Sequence, residues 1–191
     1  RILRNLSFGY CSNWRNYLAR CHFHRNSSVT GYRGNDHDFG SRAFLRCSFE
    51  SSSFAGIFDS KEDLYLIEGV EDLIKDLHAN GIQLIVASSA SNVTINRVFT
   101  RFNLHQYFTH IVSGEDFPKS KPHPAIFLHA ASLSIAPKEN CIVIEDSTNG
   151  IQSAVSAEIF CVGYNSLHSK NQDLSKANVV IQHFNELNFK K

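Results

Sequence analysis

The sequence predicts an α/β fold with a parallel, doubly wound sheet and helices on both faces. Short apolar runs of strand length, such as residues 82–87 and 141–144, alternate with stretches whose apolar residues recur at helical spacing. Strands that alternate with helices in this way form right-handed βαβ units. The apolar runs lack the polar alternation of a half-exposed strand, so we expect both faces of the sheet to be covered.

The first half of this pattern begins after Asp59. Four apolar residues recur at helical spacing and stop at the turn-forming pair Asn80-Gly81: Val70, Leu73, Ile74 and Leu77. The apolar run 82–87 then predicts a strand, residues 92–102 a helix, and residues 108–113 a second strand.

The second half repeats this alternation. Pro122 and Pro124 precede a helix that carries Ile126, Phe127, Ala130 and Leu133. Strands are predicted at 141–144, 159–163 and 179–181, with a helix from about Ile151 to Ala157 between the first two.

Residues 1–58 differ in kind from residues 59–191. The chain has eight arginines and no lysine before residue 61, and nine lysines but two arginines from there on. No strand or helix period is sustained in the first part, so we divide the chain into an irregular or scrambled segment, 1–58, and an α/β core, 59–191. Four residues of types that bind zinc lie in the first part, but their spacing matches no usual zinc site: Cys11, Cys21, His22 and His24. The arginines of this part are too scattered for a nucleic-acid arm.

The overall composition excludes several classes of partner. A net charge of +1 gives no broad field for nucleic acid or a membrane surface, and no apolar run is long enough to span a bilayer. The five cysteines are odd in number and unpatterned, and Cys141 and Cys161 lie in strand-like runs. We therefore expect reduced cysteines in a cytoplasmic protein, with no nucleic-acid or membrane partner.

Two adjacent carboxylates follow the strand at 141–144. Glu145 and Asp146 repel each other, so a cation is expected at the same site, and oxygen ligands favour Mg²⁺. The alternative is that the two residues only open a loop and Asp146 caps the next helix.

Two further strand ends carry groups suited to an anion. Ser88 and its neighbours offer hydroxyls and backbone N–H groups before a helix, although Ser91 or Asn92 could serve simply as a cap. Lys121 is stiffened by Pro122 beside a helix N-terminus, where a lysine is unfavourable unless it serves an anion.

The serine, the lysine and the acidic pair, in that order, resemble motifs II, III and IV of the haloacid dehalogenase superfamily, over residues of about 60 to 188. These three motifs read VASSAS, SKPHP and VIEDSTNG in this chain. Four stretches are most similar to the superfamily's beta-phosphoglucomutase-like phosphatases, which have a Rossmann-like core: LIEGVEDLIKDLHANGI, KPHPAIF, EDSTNGI and IFCVGYNS. The resemblance implies that Ser88 and Lys121, with Ser89, bind the transferring phosphoryl group and that Glu145 and Asp146 hold Mg²⁺. It also implies that Asn149 and Gly150 shape the loop.

The family's nucleophile motif is not found. The resemblance implies an aspartate at the end of a first, central strand and a second aspartate two residues later. Asp36 and Asp38 have that separation but no preceding apolar run, and Asp59 has the run but is followed by Lys61 at the second position. We therefore expect the first central strand and the cap domain to be missing or degenerate, at most a cap remnant in 1–58, and something else to fill the middle of the sheet. A natural N-terminal portion replaced by a frame shift would explain this composition.

The resemblance thus implies a phosphatase or phosphomutase that acts on small phosphorylated metabolites, including sugar phosphates, through an aspartyl-phosphate. We expect a monomer with impaired turnover. The alternatives are a non-catalytic protein of the same fold that binds phosphate or Mg²⁺, and an unrelated response-regulator-like module. One smaller departure is Glu158, which stands where relatives place glycine and would strain the helix end if its backbone is left-handed.

Overall fold

The fold is built around one six-stranded parallel sheet. A computed structural model describes residues 44–47, 55–56, 65–165 and 171–187. The strands of the sheet are β1 (Phe44–Cys47), β4 (Leu84–Ser88), β5 (Phe108–Ser113), β6 (Cys141–Glu145), β7 (Phe160–Tyr164) and β8 (Val179–Ile181). A separate antiparallel pair consists of β2 (Ala55–Gly56) and β3 (Tyr65–Leu66).

The strand order is β5-β4-β1-β6-β7-β8, and every neighbouring pair is parallel. Among the described residues, the first strand of this sheet, β1, lies in its middle. The following strands, β4 and β5, extend the sheet on one side of β1, and β6, β7 and β8 extend it on the other. Such a reversal opens a crevice at the carboxyl ends of the central strands, which is where open α/β sheets bind ligands.

Four α-helices among the described residues cover the two faces. They are α1 (Val70–Ala79), α2 (Asn92–Arg101), α3 (Ala125–Ser132) and α4 (Thr148–Ser156). Short 3₁₀ turns are found at Gly114–Asp116, Lys138–Asn140 and Phe184–Leu187. The apolar residues of α1 and α2 pack in one core cluster, and those of α3 and α4 in a second cluster on the opposite face. The prediction of helices on both faces is therefore confirmed.

Local sequence explains where the helices begin. The four spaced apolar residues of α1 are all buried, and Gly69 enters this helix with φ 81°. Ser91 caps α2 through a hydrogen bond from the Thr94 N–H, and Ser147 caps α4 through one from the Gly150 N–H. The alternative in which Asp146 caps α4 is therefore wrong, because the hydroxyl of the next residue does so.

The middle of the sheet is filled by β1. Its register joins Cys47 to Val86 on one side and to Ile144 on the other, so the inner edges of β4 and β6 are both paired. The expectation that something fills this gap agrees with the structure. Sequence patterns did not indicate the strand, since FLRC has two adjacent apolar residues followed by an arginine.

Within the residues that the structure describes, no helix has the length and apolar character needed to cross a membrane.

Candidate active site at the carboxyl edge of the sheet

The candidate residues gather at the carboxyl edge of the central strands. Ser88 is the last residue of β4, Glu145 is the last of β6, and Asp146 follows directly. Val86 and Ile144 are both in register with Cys47, so Ser88 and Glu145 lie two residues and one residue beyond the same level of the sheet. One strand, β1, lies between the strand that ends at the serine and the strand that ends at the acidic pair.

A buried ion pair joins the lysine to the acidic pair. Lys121 Nζ lies 3.0 Å from Glu145 Oε2, and the two side chains are 2% and 0% exposed. Lys121 belongs to the loop after β5, which is three strand positions from β6. This loop therefore reaches across the carboxyl edge of the sheet to deliver its ammonium group beside Glu145.

Glu145 is also tied to the loop that follows it. Its Oε1 accepts hydrogen bonds from the Ser147 hydroxyl at 3.0 Å and from the backbone N–H groups of Asp146 and Ser147 at 3.2 and 3.3 Å. Both carboxylate oxygens are thus engaged within the protein. These contacts fix the start of α4, because Ser147 is its cap.

Gly150 allows this arrangement because it has no side chain. A Cβ atom at position 150 would lie 2.0 Å from Cδ of Glu145, which is far inside van der Waals contact. Glu145 is 1% exposed and held by its ion pair, so it has no room to move aside. The prediction that Gly150 shapes this loop stays a prediction about function, and its physical basis is this close approach.

Strand alternation divides the site between the two faces. Val86, Ile144 and Val162 pack in the cluster on the α1 side, whereas Ala87, Val143 and Cys161 pack in the cluster on the α3 side. Because side chains alternate along a strand, Ser88 continues the α1 side and Glu145 continues the α3 side, where Lys121 lies. The hydroxyl of Ser88 and the Lys121–Glu145 pair therefore continue opposite faces at the same edge of the sheet.

Lys121 is held by its surroundings as well as by Glu145. Its Nζ lies 5.0 Å from the centre of the Phe127 ring, within the range of a cation–π contact. The carbonyl of His123 accepts a hydrogen bond of 2.9 Å from the Ser153 hydroxyl, which anchors the lysine turn to α4. The lysine is thus fixed before any ligand arrives.

The electrostatics reflect the buried charges. Burial raises the pKa of the Cys161 thiol, and the Glu145 carboxylate raises it further. Burial also raises the pKa of Tyr164 at the end of β7, with Asp146 and Glu68 adding to the shift. Both groups are therefore neutral at physiological pH and neither acts as a nucleophile in that state.

The carboxylates at this edge of the sheet provide oxygen ligands for a metal ion. No cluster of three or more His, Cys, Asp or Glu side chains able to hold a metal ion occurs among the described residues. Within the part of the chain whose burial is described, Glu145 and Asp146 are the two buried carboxylates, each 1% exposed. Mg²⁺ keeps several waters and is commonly held by one or two carboxylates, so this pair fits that ion.

The other predicted site residues differ in exposure. Ser88 is 2% exposed and its Oγ accepts a 3.1 Å hydrogen bond from the Ala90 N–H, while Ser89 and Asn149 are exposed. The three nucleophile candidates, Asp36, Asp38 and Asp59, lie outside the described residues. The N-terminal cysteines and histidines also lie outside them.

Sequence reasoning did not single out Ser147 or Glu115. The capping position of Ser147 before α4 was a usable signal, whereas nothing local indicated that Glu115 contacts a distant helix.

The comparison with known proteins agrees with this geometry. A family described as haloacid dehalogenase-like hydrolase matches residues 50–164, more than half of the chain. The chain belongs to this family. The predicted recognition and fold class are therefore confirmed, and the response-regulator-like alternative is excluded.

Several relatives of this haloacid dehalogenase-like chain are phosphatases by name. Phosphoglycolate phosphatases from Salmonella typhi and Escherichia coli K12 are 29% identical over 131 residues, covering 67% of this chain and 52% of theirs. Protein SUPPRESSOR OF QUENCHING 1 of Arabidopsis thaliana is 35% identical over 95 residues, or 49% of this chain and 9% of that protein.

Solved structures with similar folds include a beta-phosphoglucomutase and a phosphate-bound protein. Beta-phosphoglucomutase from Clostridium difficile superposes with a TM-score of 0.57 at 34% identity, covering 65% of this chain and 53% of that one. CbbY from Rhodobacter sphaeroides, in complex with phosphate, has a TM-score of 0.61 at 27% identity, with coverage of 65% and 56%. The chain spans about half the length of the curated relatives that it matches.

Proposed function

We propose that this chain binds the phosphoryl group of a small phosphorylated metabolite, including sugar phosphates, in the manner of a haloacid dehalogenase-like phosphatase or phosphomutase. The observation that carries the proposal is the buried Lys121–Glu145 pair at the carboxyl edge of the sheet. Removing two charges from water is costly, and well-packed apolar residues of similar volume are often as stabilising as such a buried pair or more so. A preorganised ammonium for an anion is a functional reason to keep it.

Ser88 and Lys121 have complementary roles in this proposal. The Ser88 hydroxyl donates a hydrogen bond to one phosphoryl oxygen, and the Lys121 ammonium neutralises charge on another. Ser89, which is exposed beside Ser88, is the remaining predicted phosphate contact. Phosphoryl transfer needs mainly such positioning and charge neutralisation from a protein, so these groups suit the reaction.

The two carboxylates are unequal in the proposed metal site. Both oxygens of Glu145 already bind Lys121 and the Ser147 turn, so we assign Glu145 mainly to orienting the lysine and the loop. Asp146 would be the principal protein ligand of Mg²⁺, with Glu145 contributing charge. The bound ion would neutralise negative charge on the phosphoryl oxygens.

Turnover requires a nucleophile that the described residues do not supply. The family resemblance implies an aspartate at the end of the central strand, and the sequence after β1 reads Ser48, Phe49, Glu50. We therefore propose that turnover is weak or absent, and that Asp36, Asp38 and Asp59 are the only sequence candidates for a nucleophile. A non-catalytic protein that binds phosphate and Mg²⁺ is the second candidate function, and this missing aspartate favours it.

Calorimetry and a phosphatase assay together test the proposal. We expect inorganic phosphate to bind the parent chain, with tighter binding in the presence of Mg²⁺. Ser88→Ala should weaken this binding by about tenfold with or without Mg²⁺, and Asp146→Asn should weaken it by about tenfold when Mg²⁺ is present. The exposed variant Asp173→Asn is the matched control and should bind as the parent does. Binding that survives both site variants would refute the assignment.

Hydrolysis of a generic phosphate ester with and without Mg²⁺ then separates the two candidate functions. Binding without hydrolysis supports the non-catalytic protein. If Mg²⁺-dependent hydrolysis is found, Asp36→Asn and Asp59→Asn, made separately, identify the carboxylate that carries it.

The proposal also includes the cellular environment and the oligomeric state of the protein. Cys141 and Cys161 are buried free thiols, which is consistent with a reducing, cytoplasmic environment. We propose a monomer that binds its metabolite without nucleic acid or membrane.

A further inference from the structure

A small polar network ties the end of β5 to the serine turn at residues 88–92. Ser113 is 0% exposed, and its hydroxyl donates a 2.8 Å hydrogen bond to the carbonyl of Ala90. The Ser113 oxygen accepts in turn from the Glu115 N–H at 3.2 Å. The two loops are also packed closely, since a Cβ at Gly114 would lie 3.0 Å from Cα of Ser89.

Glu115 closes this network from the other side of the serine turn. Its Oε2 accepts a 2.6 Å hydrogen bond from the backbone N–H of Asn92, the first residue of α2. A carboxylate at a helix N-terminus forms a charge-assisted bond and is favoured by the helix dipole. The turn that carries Ser88 is therefore held at Ala90 by Ser113 and at Asn92 by Glu115.

Helix capping alone does not account for Glu115. Ser91 already caps α2 through Thr94, and Ile95 N–H bonds to the Ser91 carbonyl. Glu115 comes from a different strand end, 23 residues away in sequence, and its bond links two loops rather than one helix to its own start. An additional carboxylate near an anion site also opposes anion binding by charge, so its presence there needs a positive contribution.

We propose that Glu115 is a positioning residue that fixes the Ser88 turn for phosphoryl binding, an inference that rests on the proposed function. The carboxylate holds Asn92 and, with Ser113, sets the path of the turn between them. The Ala90 N–H donates a 3.1 Å hydrogen bond to Ser88 Oγ. The exchange rate of this amide proton is therefore a measure of how firmly the turn is held. The geometric gain outweighs the charge repulsion because a misplaced hydroxyl contributes little to binding.

Three variants test this role. Glu115→Ala removes the acceptor, Glu115→Gln keeps a neutral acceptor for Asn92, and Glu186→Ala is the matched control. Glu186 also accepts backbone N–H groups, from Gln182 at 2.7 Å and His183 at 2.8 Å, but it lies outside the proposed site. Each variant is measured by calorimetry with inorganic phosphate and by NMR amide exchange of Ala90, after its thermal unfolding midpoint confirms folding.

We expect Glu115→Ala to weaken phosphate binding by about tenfold and to speed Ala90 exchange by a similar factor. Glu115→Gln should recover most of both, and Glu186→Ala should change neither. Unchanged or tighter phosphate binding in Glu115→Ala would overturn the proposal, because charge repulsion would then be the larger effect. If the parent itself binds no phosphate, the proposed function fails, and a faster or unchanged Ala90 exchange separately supports or overturns the positioning of the turn by Glu115.

Discussion

At the scale of single residues, burying the Lys121–Glu145 pair costs free energy of folding, and the proposed role of its ammonium group is to bind an anion. Both side chains are almost fully removed from solvent, and each compensates the charge of the other. Such pairs add little net stability when intact, but breaking one leaves an uncompensated buried charge. Their stability effects are therefore best seen in single and double variants.

Lys121→Met should lower the free energy of unfolding by about 3 kcal/mol, because Glu145 is left buried without its cation. The double variant Lys121→Met with Glu145→Gln should recover much of this loss. Urea unfolding measures both. In the control Lys138→Met, the broken pair is exposed, with side chains 29% and 84% accessible, and the expected loss is below about 1 kcal/mol. Equal losses in the two single variants would contradict this account.

Tyr164 gives a prediction for alkaline pH. Its pKa is raised in the folded chain, first by burial and then by Asp146 and Glu68. The folded state thus keeps a proton that the unfolded state loses above the ordinary value of 10.0. Its contribution to stability is complete below that pH and is lost as the pH rises through the folded pKa. Tyr164→Phe should therefore flatten the fall of the urea midpoint as the pH rises above the ordinary value of 10.0. If the urea midpoint of Tyr164→Phe, expressed relative to its value at pH 7, fell with pH as steeply as that of the parent, the buried tyrosine would not be the cause.

Residue identities at the site were largely predictable, whereas their contacts were not. Ser88, Glu145 and Asp146 stand at strand ends that apolar runs make visible in the sequence, and Lys121 stands beside Pro122 in the loop after β5. The bond from Asn92 to Glu115 was not predictable, because it joins two loops whose proximity depends on how β4 and β5 pack.

At the scale of elements, the helix ends show where sequence and backbone disagree. Helix α4 is followed by Glu158 with φ 57°, a left-handed conformation that L-residues adopt at a cost. The expectation that Glu158 strains this helix end is therefore confirmed. Its side chain bonds to Lys138 at 3.0 Å, but that pair is largely exposed and offsets little of the strain.

Glu158→Gly should raise the free energy of unfolding by about 1 kcal/mol, because glycine adopts this conformation without a Cβ penalty. Glu158→Ala retains the Cβ atom and also loses the contact with Lys138, so it should give no gain. Thermal unfolding of the two variants provides the comparison, and a gain in both would point away from backbone strain.

Gly150→Ala should be far more damaging than its position on a helix suggests. The added methyl group would overlap the buried Glu145 carboxylate, so either that side chain or α4 must move. We expect a loss of about 2 kcal/mol or more, together with loss of phosphate binding. Asn149→Ala, at the exposed neighbouring residue, is the control and should stay within about 0.5 kcal/mol of the parent. Thermal unfolding measures both variants. Equal unfolding midpoints would show that the loop can shift to accommodate the added methyl group.

At the scale of the whole molecule, the sheet depends on a strand from the segment that sequence patterns left unassigned. β1 pairs with β4 and β6, so it completes both halves of the sheet. The architecture of residues 65–187 was predictable from alternating apolar runs, because each run is long enough to show its period. Four residues with an internal arginine carry no such signal, and only the unpaired edges on either side indicated that a strand was needed.

A fragment of residues 59–191 should therefore not fold cooperatively, because the inner edges of β4 and β6 would expose unpaired N–H and C=O groups. A fragment of residues 40–191, which retains β1, is the matched control. Circular dichroism during urea unfolding measures the cooperativity of each. A sharp transition in the shorter fragment, equal to that of the longer one, would mean that β1 is dispensable.

The central place of β1 also governs the order in which the protein can assemble during synthesis. Phe44 pairs with Cys141, so closing the sheet links positions about 100 residues apart. A growing chain can dock β1 on β4 early, but its other edge stays open until β6 has left the ribosome. Nascent chains stalled before that point would present a bare strand edge to other polypeptides, which makes them natural clients for molecular chaperones.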